Sequence, residues 1–211
     1  MLNRGATRFT FAAMTQSIDN LAAANLIEIT PKRHGLILDI AYATARNFTG
    51  KPVYARPGCY LHRDAATRLD VAIGLARALG LRLKLFDAFR PSEAQWVLWN
   101  FRPDPGFLAD PRKGSPHSRG VAVDLTLIDE RDDELDMGTG FDAFTPLSHH
   151  ANTAISAAAQ RNRFLLLGIM SAAGWDFYGN EWWHYQLFNA KNYPVLGDAA
   201  LDRPMMPPPA G

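Results

Sequence analysis

The sequence predicts an α+β fold: one domain with a central antiparallel sheet flanked by helices. Three observations point there. Residues 63–80 repeat apolar side chains at helical spacing. Residues 81–89 alternate apolar and polar, and residues 121–129 also read as a strand. The helices are grouped between strands rather than following each strand in turn, which argues against regular βαβ units. The chain of 211 residues is long enough to bury a sizeable core in a single domain.

Taken in order, residues 1–20 read as a flexible extension and residues 21–200 as the domain. LILDIAYAT (36–44) is expected to form a strand leading into the loop ARNFTGKPVY. In the helix over 63–80, Ala65, Leu69, Ala72, Ile73, Ala76 and Leu79 share a face, and Gly80 stops it. LRLKLFDAF (81–89) is a half-buried strand, and SEAQWVLWNF is a helix with Ser92 near its N-cap. Four prolines and three glycines make residues 102–120 a long loop. The strand VAVDLTLID (121–129) follows, then a loop through MGTGFDAFTPLSHH, then a helical stretch over 151–174, in one or two pieces. WDFYG and EWWHYQLF close the domain as a hairpin. The segment 201–211 ends PMMPPPAG and is expected to be an extended or disordered tail, since proline offers no N–H to a ladder.

Several functional classes are disfavoured. A net charge of +1 leaves no electrostatic footprint for nucleic acid or for an anionic membrane. The single cysteine, Cys59, rules out a disulfide framework and a cysteine-rich zinc module, so any metal must rest on His, Asp and Glu. No apolar run approaches the roughly 20 residues needed to span a bilayer. The N-terminal stretch carries Arg4 and Arg8 without an uninterrupted apolar run, so the cytoplasm is the expected compartment.

Two stretches carry candidate chemistry. In SPHSRGVAVDLTL (115–127), His117 falls in a loop and Asp124 inside an apolar strand, where an unpartnered carboxylate would be costly. In EWWHY (181–185), Glu181 and His184 would face opposite ways on a flat strand, and they meet only if the chain bends near Gly179-Asn180-Glu181. Given that bend, His117, Asp124 and His184 form a three-ligand set with a fourth position open, as in catalytic zinc sites. Glu181 is then placed to take a proton from water and return it to a leaving amine. Taken singly, His-x6-Asp and Glu-x-x-His are weak patterns, and each alone is more often structural. In FDAFRP (86–91), Arg90 either pairs with Asp87 structurally or steadies the charge of a tetrahedral intermediate. His34, His62, His149 and His150 have no partner at ligand-like spacing and read as capping or turn residues.

Together these stretches resemble the zinc D-alanyl-D-alanine dipeptidases of the VanX type, within the D,D-peptidase and hedgehog-like group. The likeness extends to YATARNFTG (42–50), DAFRP (87–91), MGTGFD (137–142) and SHHA (148–151), and covers roughly residues 39–193. It implies one Zn2+ on His117, Asp124 and His184, Glu181 as catalytic base, and Arg90 assisting the transition state. It also implies that Asp142 holds the free ammonium of a D-Ala-D-Ala dipeptide, with Tyr42 lining that subsite and Ser115 near the substrate carboxylate. Without the resemblance, Asp142 reads as a turn residue, Ser115 as a loop hydroxyl and Tyr42 as a strand-end aromatic. The sequence departs from the family at Pro116, at Val121 and in the loop 56–60. Two rival readings are a D,D-carboxypeptidase or L,D-endopeptidase acting on larger wall fragments, and a zinc-bearing binding module without catalysis.

Overall fold

In the computed structural model, residues 24–208 are described; the extension expected over residues 1–20 lies outside them. Strand β1 (Leu26–Glu28) precedes a single helical turn, α1 (Pro31–His34), and a short strand, β2 (Ile37–Leu38). Then come β3 (Tyr60–His62), α2 (Arg63–Ala78), β4 (Arg82–Asp87) and α3 (Ser92–Phe101). After the long loop lie β5 (Ala122–Ile128), α4 (Ala157–Ala172), β6 (Asp176–Phe177) and β7 (His184–Gln186). The domain is α+β, as predicted.

The main sheet has the order β2-β4-β5-β7-β6, and β1 pairs with β3 in a separate antiparallel ribbon. One pairing corrects the antiparallel expectation: β2 runs parallel to β4, so the sheet is mixed. Strand β3 and α2 lie between these two strands in the chain, and a connection that long permits parallel pairing. The strand expected over 36–44 is therefore short. It gains one more ladder bond, Asp39 N–H to Leu85 O (2.9 Å), before Ala41–Ala43 wind into a 3-10 turn.

Strand β5 is buried along its whole length because β4 and β7 flank it and both faces are covered. On α2, Ala65, Leu69, Ala72 and Ala76 are fully buried on the face the periodicity selects; Leu79, expected on that face, caps the helix and is exposed, and Gly80 beyond it has φ 72°. Truncating Leu69 to alanine would cost about 2–5 kcal/mol. Helix α3 begins at Ser92 as expected, with Pro91 at the cap position and the Ser92 hydroxyl donating to Glu93 (3.2 Å). One helix start differs from expectation. Helix α4 begins only after Ser156, whose hydroxyl accepts from Ala159 N–H; Ala151, with φ 59°, lies outside the helical region. Residues 201–205 pack against the domain. Leu201 and Met205 are buried, Met205 O accepts from Ala55 N–H, and Pro204 O accepts from Arg56 Nε. Among the described residues no helix is long and apolar enough to cross a membrane.

Candidate active site

The register of the sheet assembles the centre of the site. Asp124 in β5 lies directly opposite His184 in β7 on one side and Asp87 at the end of β4 on the other. Directly opposed residues project to the same face, so the carboxylate and the imidazole meet without further help. His117 arrives from the 3-10 turn His117–Arg119 that precedes β5. Gly120 closes that turn at φ 67°, with its carbonyl accepting from His62 N–H (2.7 Å). A Cβ there would stand 2.8 Å from Leu26 and 3.1 Å from the His62 nitrogen, so a side chain would push the turn off the ribbon.

Glu181 and His184 share the site because the chain bends as the sequence required. Glu181 N–H donates to Tyr178 O (3.1 Å), closing a turn over Gly179 and Asn180. Trp182 and Trp183 are buried between the two polar residues; Trp182 N–H donates to Ser148 O and its indole N–H to Thr139 Oγ1 (2.9 Å). The aromatic bulk is thus core, and it anchors the turn that aims Glu181. Glu181 Oε2 lies 3.9 Å from His184 Nδ1.

The donor set fits a zinc ion. His117 Nε2 is 3.1 Å from His184 Nδ1 and 3.3 Å from Asp124 Oδ1, and His184 Nδ1 is 3.1 Å from the same oxygen. Ligands held about 2.0–2.1 Å from a tetrahedral zinc stand about 3.3 Å apart. The tautomers agree. His117 Nδ1 donates to Ala88 O (2.7 Å), which leaves the Nε2 lone pair bare. His184 Nε2 faces Gln186 Oε1 (3.1 Å), and a proton on that nitrogen leaves Nδ1 bare. Two lone pairs and a carboxylate aimed at one point repel unless a cation lies between them. Among the described residues these three are the one such cluster, so the four other histidines stay outside it as expected. His62, for example, caps α2 by accepting from Asp64 N–H.

Arg90 makes the structural pair with Asp87 and also reaches the cavity. Its Nε donates to Asp87 Oδ2 (2.8 Å) and its Nη1 to Gln95 Oε1 (2.9 Å), a buried structural arrangement. Its Nη2 reaches Asp124 Oδ2 (3.4 Å) at the cavity. The guanidinium also lies over the Tyr42 ring, 4.9 Å from its centre.

A cavity of about 190 Å³ joins these groups. Tyr42, Arg90, Ser115, His117, Asp124, Asp142, Glu181 and His184 all line it, so every residue singled out in the sequence reaches one space. Asp142 sits at φ 59° with Oδ1 accepting from the Tyr42 hydroxyl (3.1 Å) and Oδ2 buried without a partner. Burial, and then the charge of Asp124, push its pKa up to about 8. The same causes, with Asp142 adding to them, hold Glu181 well above the usual carboxylate range. Burial alone would raise Asp124 too, but His117 and then His184 outweigh it and hold that carboxyl well below its ordinary value. Ser115 is buried, and its hydroxyl accepts from His117 N–H (3.2 Å).

Some lining residues were not singled out. Phe107 and Leu108 come from the long loop, where no periodicity marks them. Gln186 also lines the cavity, and its signal was present: two residues beyond His184 in a strand puts it on the same face. The loop 56–60, where the sequence departs from the resembled family, packs instead against the chain's end.

Comparison with known proteins agrees with this geometry. The family model Peptidase_M15, described as D-ala-D-ala dipeptidase, matches residues 22–204. A D-alanyl-D-alanine dipeptidase of Escherichia coli is 47% identical over 163 residues, covering 77% of this chain and 84% of the relative. Relatives of the same description from Enterococcus faecalis and Streptomyces coelicolor are 37% and 38% identical. They cover 76% and 72% of this chain and 90% and 86% of their own lengths.

Proposed function

We propose, from the premise that the chain belongs to the Peptidase_M15 family of D-Ala-D-Ala dipeptidases, that the residues gathered in its cavity carry out this family's reaction. That reaction is the zinc-dependent hydrolysis of D-Ala-D-Ala to two D-alanines. The observation that supports it most is the convergence of two ring nitrogens and the Asp124 carboxylate on one point, with Glu181 beside them.

Zinc bound by His117, Asp124 and His184 would lower the pKa of water towards about 7 and polarise the scissile carbonyl. Glu181 takes a proton from the attacking water and hands it to the leaving amine nitrogen. Arg90, fixed by Asp87 and Gln95, steadies the negative charge that develops on the carbonyl oxygen. Asp142 pairs with the substrate ammonium, Tyr42 lines that subsite, and Ser115 lies towards the substrate carboxylate. The cavity is small beside the roughly 300–1,000 Å³ of ordinary ligand pockets, which suits a dipeptide. A longer peptide would put a neutral amide where the ammonium belongs and leave Asp142 unpaired.

The test is release of free alanine by zinc-loaded protein from D-Ala-D-Ala, L-Ala-L-Ala and a pentapeptide ending in D-Ala-D-Ala. Release from the D,D-dipeptide alone is expected. Release from the pentapeptide would move the protein to the carboxypeptidases, and silence on all three would leave a binding module. The reaction serves either recycling of wall dipeptide or glycopeptide resistance. A deletion strain distinguishes them by losing growth on D-Ala-D-Ala or by losing glycopeptide tolerance. The cytoplasm is the proposed compartment; recovery of the protein outside the cytoplasmic fraction would overturn it.

A further inference from the structure

We infer that Gln186 is a positioning residue for the metal centre: its side-chain carbonyl fixes the tautomer of His184 and so keeps Nδ1 free to bind zinc. This rests on the zinc dipeptidase reading above.

The two histidines of the site are held in different ways. The Nδ1 of His117 donates to a backbone carbonyl, Ala88 O, at the end of β4. No substitution of a side chain removes that acceptor. His184 has no such backbone partner for its ring. Its Nε2 faces Gln186 Oε1 at 3.1 Å, and its Nδ1 faces Asp124 Oδ1 at the same distance. An imidazole between two acceptors has a choice. With the proton on Nδ1 it donates to Asp124, an attractive contact in the metal-free protein, but that proton occupies the lone pair zinc requires. With the proton on Nε2 it donates to Gln186, and Nδ1 stays bare. Only the second form is competent for metal, and the Gln186 carbonyl is the group that favours it.

The strand geometry makes the contact specific. His184 and Gln186 are two apart in β7 and project to one face. Directly across from Gln186 stand Ala122 in β5 and Asp176 in β6. Ala122 offers no polar side-chain atom, and Asp176 Oδ1 accepts from the backbone of Phe177 (2.9 Å). Among the described residues the Gln186 amide has no side-chain partner other than His184. Outer partners of metal-bound histidines typically contribute 10–100-fold to metal affinity.

The test compares wild type with Gln186→Met, close in shape but without an acceptor, and Gln186→Glu, which keeps one. Zinc affinity is read by competition with a chromophoric chelator, and the His184 tautomer by nitrogen-15 NMR of the zinc-free proteins. Gln186→Met is expected to bind zinc about 10–100-fold more weakly and to shift His184 towards the Nδ1–H form. Gln186→Glu is expected to retain the Nε2–H form and at least wild-type affinity. The inference is overturned if Gln186→Met binds zinc as tightly as wild type, or if Gln186→Glu is as weak as Gln186→Met, which would mark a packing role. Failure of the wild type itself to bind zinc would instead remove the dipeptidase reading, and the tautomer measurement would still decide the role of Gln186.

Discussion

Asp124 and Asp142 are buried aspartates on the same cavity, and their surroundings drive them in opposite directions. Asp124 lies in the middle of a strand, between two histidines and an arginine, and it stays ionised. Asp142 lies in a loop with one tyrosine hydroxyl on Oδ1 and nothing on Oδ2, and its pKa is pushed up to about 8. The first carboxylate has its partners built in and is suited to hold an ion permanently. The second lacks a cation in the free protein, so an arriving ammonium changes its energy most. Permanent and transient charge pairing are separated by what the protein itself supplies.

The comparison breaks most completely at Asp124→Asn. Loss of the anionic ligand should remove bound zinc, measured by metal analysis after dialysis, and turnover should vanish with it. Glu181→Gln should retain zinc while kcat falls by about 10²–10⁴-fold, the usual worth of a general base. Full activity in that variant would remove Glu181 from the mechanism.

The contrast sharpens through pH. In zinc-free protein, Asp142 keeps a proton between its ordinary value of 3.8 and about 8, where the unfolded chain does not. The native state then binds more protons, so stability is full below about 4 and falls as pH rises through 8. Glu181, raised for the same reasons, adds to this slope. Asp142→Asn should therefore be more stable than wild type at pH 8, with the gap closing near pH 4, when thermal midpoints are compared. An unchanged slope would show that Asp142 is already ionised. The smallest effect is expected of Tyr42→Phe. It removes one hydrogen bond to Asp142, worth about 1 kcal/mol, and should raise KM roughly fivefold with little change in kcat.

The two aspartates were also unequally legible in the sequence. Asp124 stood out because a carboxylate in an apolar strand is conspicuous, and period two fixed which face it used. Glu181 and His184 needed a bend, and the Gly-Asn pair announced it. Strands β4 and β5 and helix α2 followed from the sequence pattern, while β1 and β3, three residues each, are too short to show a period, and the parallel entry of β2 was missed because local pattern carries no strand direction. Asp142 had no local signal beyond a turn. Its place at the cavity depends on Tyr42, a hundred residues away, and only resemblance to a family pointed to it. Ser115 was hidden in the same way. Phe107 and Leu108 were missed altogether, because a proline-rich loop has no period to read.

The most direct test of this division of labour is kcat/KM for D-Ala-D-Ala against N-acetyl-D-Ala-D-Ala, in zinc-loaded wild type and Asp142→Asn. If Asp142 serves the ammonium and Asp124 the metal, wild type should prefer the free dipeptide by about 100-fold. The variant should keep its zinc and lose most of that preference. A variant that still discriminates as wild type does would contradict the assignment of the ammonium to Asp142.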